Sequence, residues 1–74
     1  MFVVIEIQNN GETSTVFTYS FNSRNEADSK YYSILAEAAV SKVEIHSAIL
    51  LTVEGYYITS ACFKHQTTLN TETE

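Results

Sequence analysis

Hydrophobic residues fall into four short clusters along this chain: Phe2-Val3-Val4-Ile5, Val16-Phe17, Ile49-Leu50-Leu51 and Tyr56-Tyr57-Ile58. Between the second and third lies one longer stretch with helical spacing. A sheet with one face in water shows strict alternation of apolar and polar residues, whereas a sheet covered on both faces reads as continuous apolar runs. These clusters are of the second kind, yet one helix covers only one face. The surplus apolar surface points to association with further copies or with another protein.

Both glycines stand where a hairpin would turn, and there is no proline. The first strand is predicted from about Phe2 to Gln8 and the second from about Ser14 to Phe21, joined by Asn9-Asn10-Gly11-Glu12, because Asn-Gly supplies the positive φ of a tight turn. Val3, Ile5 and Ile7 share one face of the first strand, and Phe2, Val4, Glu6 and Gln8 the other. In the second, Phe17, Tyr19 and Phe21 oppose Val16, Thr18 and Ser20. The last pair is predicted over about Val43 to Val53 and Tyr56 to Lys64, turning at Glu54-Gly55. Its first member sets Val43, Ile45, Ser47, Ile49, Leu51 and Val53 against His46, Ala48, Leu50 and Thr52.

Ser23-Arg24-Asn25-Glu26 has the form of a capping box, so a helix should begin close to Arg24, with Glu26 and Asp28 suited to its positive end. Ala27, Tyr31, Ile34, Leu35 and Ala38 then form one apolar stripe. Ala36, Ala38 and Ala39 make the second half slim, and Ser41 and Lys42 end it. The expected fold is a two-layer ββαββ α+β domain over residues 1–65, an antiparallel four-stranded sheet with one covering helix. Two small sheets flanking the helix, or a partial barrel, also satisfy the periodicity. Residues 66–74, polar apart from Leu69, are expected to form a flexible tail.

Size sharpens the need for a partner. A chain of 74 residues buries only roughly 60% of its unfolded surface. Cys62 is the only cysteine, which excludes an internal disulfide, and one Cys with two His is too few for a structural zinc site. Self-association is the remaining common route to stability. A net charge of −5, with Arg24, Lys30, Lys42 and Lys64 scattered, disfavours nucleic acid and anionic membranes. No apolar run approaches a membrane span and no basic leader precedes Phe2, so a cytoplasmic location is expected.

Candidate chemistry is sparse. HExxH, GxSxG, CxxC and glycine-rich phosphate loops are absent from the sequence. His46 or His65 could serve as a base or metal ligand and Cys62 as a nucleophile. Cys62 and His65, three apart in a predicted strand, point to opposite faces, and a buried structural cysteine with two ordinary histidines is preferred. Glu6 is taken as a solvated strand residue. No catalytic residue, metal or cofactor is therefore assigned.

Five Tyr and four Phe exceed what one small core encloses, and Tyr is favoured at interfaces. Tyr31 belongs to the helix stripe while Tyr32 points away from it; Tyr56 and Tyr57 take opposite strand faces. Phe17, Tyr19, Arg24, Asn25, Tyr32 and Tyr57 are the expected interface or ligand residues. Aromatic rings stack on bases and helix N-termini attract anions, so a nucleotide-like molecule is one candidate ligand there.

Ile5-Glu6-Ile7-Gln8, Arg24-Asn25-Glu26-Ala27-Asp28-Ser29-Lys30-Tyr31, Ala36-Glu37-Ala38-Ala39-Val40-Ser41 and His46-Ser47-Ala48-Ile49-Leu50-Leu51 resemble, in that order, a group of short uncharacterised proteins of tailed phages and prophages of Gram-positive bacteria. The resemblance covers about residues 2–65 and brings no site residues with it. It implies a phage accessory or counter-defence protein acting in the host cell. The expected function is a non-enzymatic, homo-oligomeric binding protein that occupies a host protein or sequesters a small signalling molecule. A structural accessory of the virion is the alternative.

Overall fold

The first hairpin closes as its Asn-Gly pair requires. In the computed structural model, which describes residues 1–65, β1 (Phe2–Asn9) and β2 (Ser14–Phe21) pair antiparallel, with Phe2 opposite Phe21 and Asn9 opposite Ser14. The Asn10 N–H donates to the Thr13 carbonyl at 3.2 Å, and Asn10 Oδ1 accepts from the Glu12 and Thr13 N–H groups. Gly11 takes φ +95°, a conformation that L side chains rarely adopt. The expected tail, residues 66–74, lies outside the described residues.

Helix α1 spans Arg24–Val40. Ser23 caps it, its hydroxyl accepting the Glu26 N–H at 3.2 Å, and Arg24 bridges to Asp28 at 2.8 Å one turn on. At the far end the Ser41 N–H donates to the Ala38 carbonyl, and His65 Nε2 donates to the same oxygen at 2.7 Å. That carbonyl is one of those a helix end leaves without an internal partner, so His65 completes the C-terminus.

The second hairpin comprises β3 (Ile45–Thr52) and β4 (Tyr57–Lys64), turning at Gly55 with φ +97°. β3 starts two residues later than expected, because the Ser41 hydroxyl accepts the Val43 N–H and holds the chain in a connection from helix to sheet. Tyr56 falls in the turn rather than in β4, and a bulge at Leu50/Leu51 shifts the register there.

Strand order, which periodicity leaves open, is β2-β1-β3-β4. β1 and β3 pair antiparallel at the centre, with Val3 opposite Leu51 and Ile5 opposite Ile49. The hairpins thus join into one open antiparallel sheet under one helix, and neither separate sheets nor a barrel forms among the described residues. Ala27, Tyr31, Ile34 and Ala38 of the helix are buried with Val4, Ala48 and Leu50 of the central strands. Ala38 and Ala48, wholly buried and small, are where helix and sheet can approach closely; Ala36 and Ala39 are exposed. Each large side chain enclosed here contributes about 1.5–3 kcal/mol, and among the described residues only Ile34, Leu50 and Val4 are large and fully buried.

Candidate functional site

Two features of this framework could carry function: a buried polar network under the helix, and the uncovered face of the sheet. The network begins with Glu6 and His46, which sit on the helix side of β1 and β3 among apolar core residues. They are 6% and 3% exposed. His46 Nε2 lies 2.7 Å from Glu6 Oε2, Gln8 Nε2 donates to the same oxygen at 2.9 Å, and the Tyr19 hydroxyl donates to Oε1 at 3.3 Å. On its other side, His46 Nδ1 is 3.0 Å from Ser41 Oγ. Lys30 Nζ stands 4.2 Å over the centre of the Tyr19 ring.

Electrostatics follow from this geometry. Burial pushes the Glu6 carboxyl up, but hydrogen bonds from His46 and Gln8, the charge of His46 and the Tyr19 hydroxyl outweigh it and hold the carboxyl below its ordinary 4.5. Burial first, then the neighbouring Glu6 charge, raises the Tyr19 phenol above its ordinary 10.0, with the hydrogen bond to Glu6 and the charge of Glu37 adding to the effect.

Two expectations are corrected here. Glu6 is not a solvated strand residue, because the β1–β3 pairing supplies it with a histidine and a place under the helix. Cys62 is not buried but exposed, since β4 is an edge strand and Cys62 lies opposite Ser47 on the side away from the helix.

Ser41, His46 and Glu6 have the residue types of a nucleophile, base and orienting carboxylate. Their arrangement does not suit that chemistry. The carboxylate sits on Nε2 and the serine on Nδ1, the reverse of the acyl-transfer arrangement, and His46 is shielded from any substrate. Ser41 already ends the helix and receives the Val43 N–H. A connected buried network of this kind ties β1, β2, β3 and the helix C-terminus together.

The uncovered face has a different character. Strand pairing sets Val3, Ile5 and Ile7 of β1 beside Leu51, Ile49 and Ser47 of β3, with Ile45 at the end of the row. Flanking them are Ser14, Val16, Thr18 and Ser20 on β2 and Tyr57, Ser60, Cys62 and Lys64 on β4. The centre is aliphatic and the margins are mostly small and hydroxylated. No acidic residue occupies this face among the described residues.

The six residues expected from the sequence do not converge. Phe17 and Tyr19 lie on the helix side of edge strand β2, opposite Glu6 and Val4. Arg24 and Asn25 are exposed in the first helical turn, Arg24 occupied by Asp28. Tyr32 is 63% exposed on the helix, its ring edge-on to Tyr31, and Tyr57 is on the opposite sheet edge and the opposite face. A groove of about 360 Å³ between helix and β2 is lined by Phe21, Glu26, Ser29, Lys30 and Ser33. Sequence reasoning missed the Glu6–His46 pair; its one signal was a charged and a titratable residue both at core-facing positions of their strands. No helix among the described residues is long and apolar enough to cross a membrane. No protein-family model, curated protein or solved structure significantly matches this chain.

Proposed function

We propose that this chain is a non-enzymatic binding protein that assembles with copies of itself through the uncovered face of its sheet. The observation that carries the reading is the aliphatic centre formed by Val3, Ile5, Ile7, Ile45, Ile49 and Leu51, with no helix over it among the described residues. Four strands of eight residues, about 4.8 Å apart and about 3.3 Å per residue, outline about 500 Å² per copy. Two stacked copies then enclose about 1,000 Å², the lower bound for a specific interface. An apolar centre inside a polar rim is also the usual anatomy of such interfaces. Charge supports a second copy as the occupant: the chain is acidic overall, yet the acids of the described residues lie away from this face, so stacking brings no carboxylates together.

The work of the assembly, in this proposal, is to occupy a host protein or hold a small nucleotide-like signal in the host cytoplasm, the setting implied by the resemblance to phage proteins. The groove between helix and β2 supports the small-molecule form, because beside the Glu26 carboxylate it offers an aromatic ring, an ammonium group and two hydroxyls in about 360 Å³. The virion-accessory reading rests on the same face used only to join copies.

Light scattering over a concentration series tests the core of the proposal. The wild type should exceed the single-chain mass, and Ile49→Lys should reduce it, with Glu54→Lys in the exposed turn as a neutral control. A single-chain mass for the wild type at every concentration refutes it. Thermal shift with cyclic dinucleotides, and the presence or absence of the protein in purified particles, separate ligand holding from a virion role.

A further inference from the structure

The outer edge of β2 carries a second, independent signal for self-association. We propose that β2 pairs antiparallel with β2 of a second copy about a twofold axis at Phe17, joining two sheets into one of eight strands; this deepens the self-assembly reading above by naming the joint and its register. The hairpin closes on the bond from the Asn10 N–H to the Thr13 carbonyl, which sets the alternation along the strand. Odd-numbered residues of β2 bond inward to β1. Ser14, Val16, Thr18 and Ser20 therefore turn their N–H and C=O groups outward, where no strand meets them among the described residues.

Such an edge is normally guarded by charge, proline, a bulge or a cover. The β2 sequence STVFTYSF contains no charge and no proline, and its pairing with β1 runs without a register shift. The other edge strand, β4, ends in Lys64 and has a shifted register at Leu50/Leu51. The two edges are thus unequal, and β2 is the one open to pairing.

Register follows from which residues face outward. With the axis at Phe17, Ser14 bonds Ser20 of the second copy and Val16 bonds Thr18, and every outward N–H and C=O of the strand is used. An axis at Thr18 leaves Ser14 facing the residue after the strand. Phe17 is 40% exposed and Val16 56%, so both have apolar surface left to enclose. At the axis the two Phe17 residues become a non-hydrogen-bonded pair with Cα atoms about 4.5 Å apart, the closest cross-strand approach. Thr15 faces Tyr19 of the second copy, and no charged side chain of β2 is brought to the joint.

Cysteine cross-linking reads this register directly. Phe17→Cys in a Cys62→Ser background should give a disulfide-linked dimer on mild oxidation, because about 4.5 Å falls within the Cα range of a disulfide. Tyr19→Cys in the same background should cross-link at least tenfold less, since the two positions would lie about 13 Å apart along the strands. Thr18→Pro, which removes an outward N–H while sparing the bonds to β1, should halve the mass seen by light scattering with an unchanged circular dichroism spectrum. Equal cross-linking at both positions, or none at Phe17→Cys, overturns the joint even where Thr18→Pro fails to fold. If Ile49→Lys reduces the mass while Phe17→Cys does not cross-link, face stacking stands and edge pairing falls. The converse pattern keeps the edge and refutes the face.

Discussion

Removing the Glu6 carboxylate tests whether the buried network holds the two layers together. In Glu6→Leu, His46 and Gln8 each lose a partner within 3 Å, and His46 stays 3% exposed, so water cannot substitute freely. An unsatisfied buried polar group costs about 1–3 kcal/mol, and a hydrogen bond to a charged group such as this carboxylate contributes about 1.5–3 kcal/mol. Gln8 is only part-buried and recovers some hydration, which sets the expectation near 3 kcal/mol. For a domain of this size that lowers Tm by about 12–24 °C. His46→Leu should cost a similar amount by stranding Glu6. The double variant, Glu6→Leu with His46→Leu, should cost at least about 2 kcal/mol less than the sum of the two, because an apolar pair leaves no charge stranded. Urea denaturation of all four proteins at one fixed concentration, followed by circular dichroism, completes the cycle. Additive effects within about 0.5 kcal/mol would show that the pair does not couple, and the reasoning would fail.

Acid should weaken the fold through the same carboxylate. Its folded pKa is below 4.5, so its contribution is fully present above that value and is lost as pH falls through the lower folded value; Glu6→Gln should flatten that part of a urea-midpoint profile taken from pH 6 to pH 2. Ser23→Ala removes the acceptor of the Glu26 N–H and should cost about 1 kcal/mol in the same denaturation assay, against little change for Ser29→Ala on the exposed helix surface. Gly55→Ala should cost about 1–2 kcal/mol although a Cβ there meets nothing within 4 Å, since the whole penalty comes from φ +97°; Gly55→Asn should recover part of it. Ile34→Ala empties the middle of the helix–sheet contact and should cost about 2–5 kcal/mol, a large share of what so small a domain has.

Local chemistry explains why the architecture was legible. Asn10-Gly11 and Glu54-Gly55 could only be turns, Ser23 could cap only a helix on its C-terminal side, and Ala27, Tyr31, Ile34, Leu35 and Ala38 recur at a helical period; all are buried except Leu35, which is half-buried against the same core. The face assignments of Val3, Ile5 and Ile7 against Val4 and Glu6 hold as well, because side chains alternate whatever the neighbouring strand is. The candidate site was less legible. Phe17, Tyr19, Arg24, Asn25, Tyr32 and Tyr57 share only residue types suited to interfaces, and type does not tell which edge or layer a residue occupies.

By itself, then, the sequence determined the elements, their faces and the excess of apolar surface over what one helix covers, since these depend on bonds and periods within a few residues. Strand order was decided only by the tertiary structure. Placing β1 beside β3 brings together residues 40 positions apart, and this put His46 on Glu6, left Cys62 at one exposed edge and made β2 the other. The physical reason is that pairing between hairpins is a choice among whole-chain arrangements with the same local periodicity, separated only by the packing each one completes.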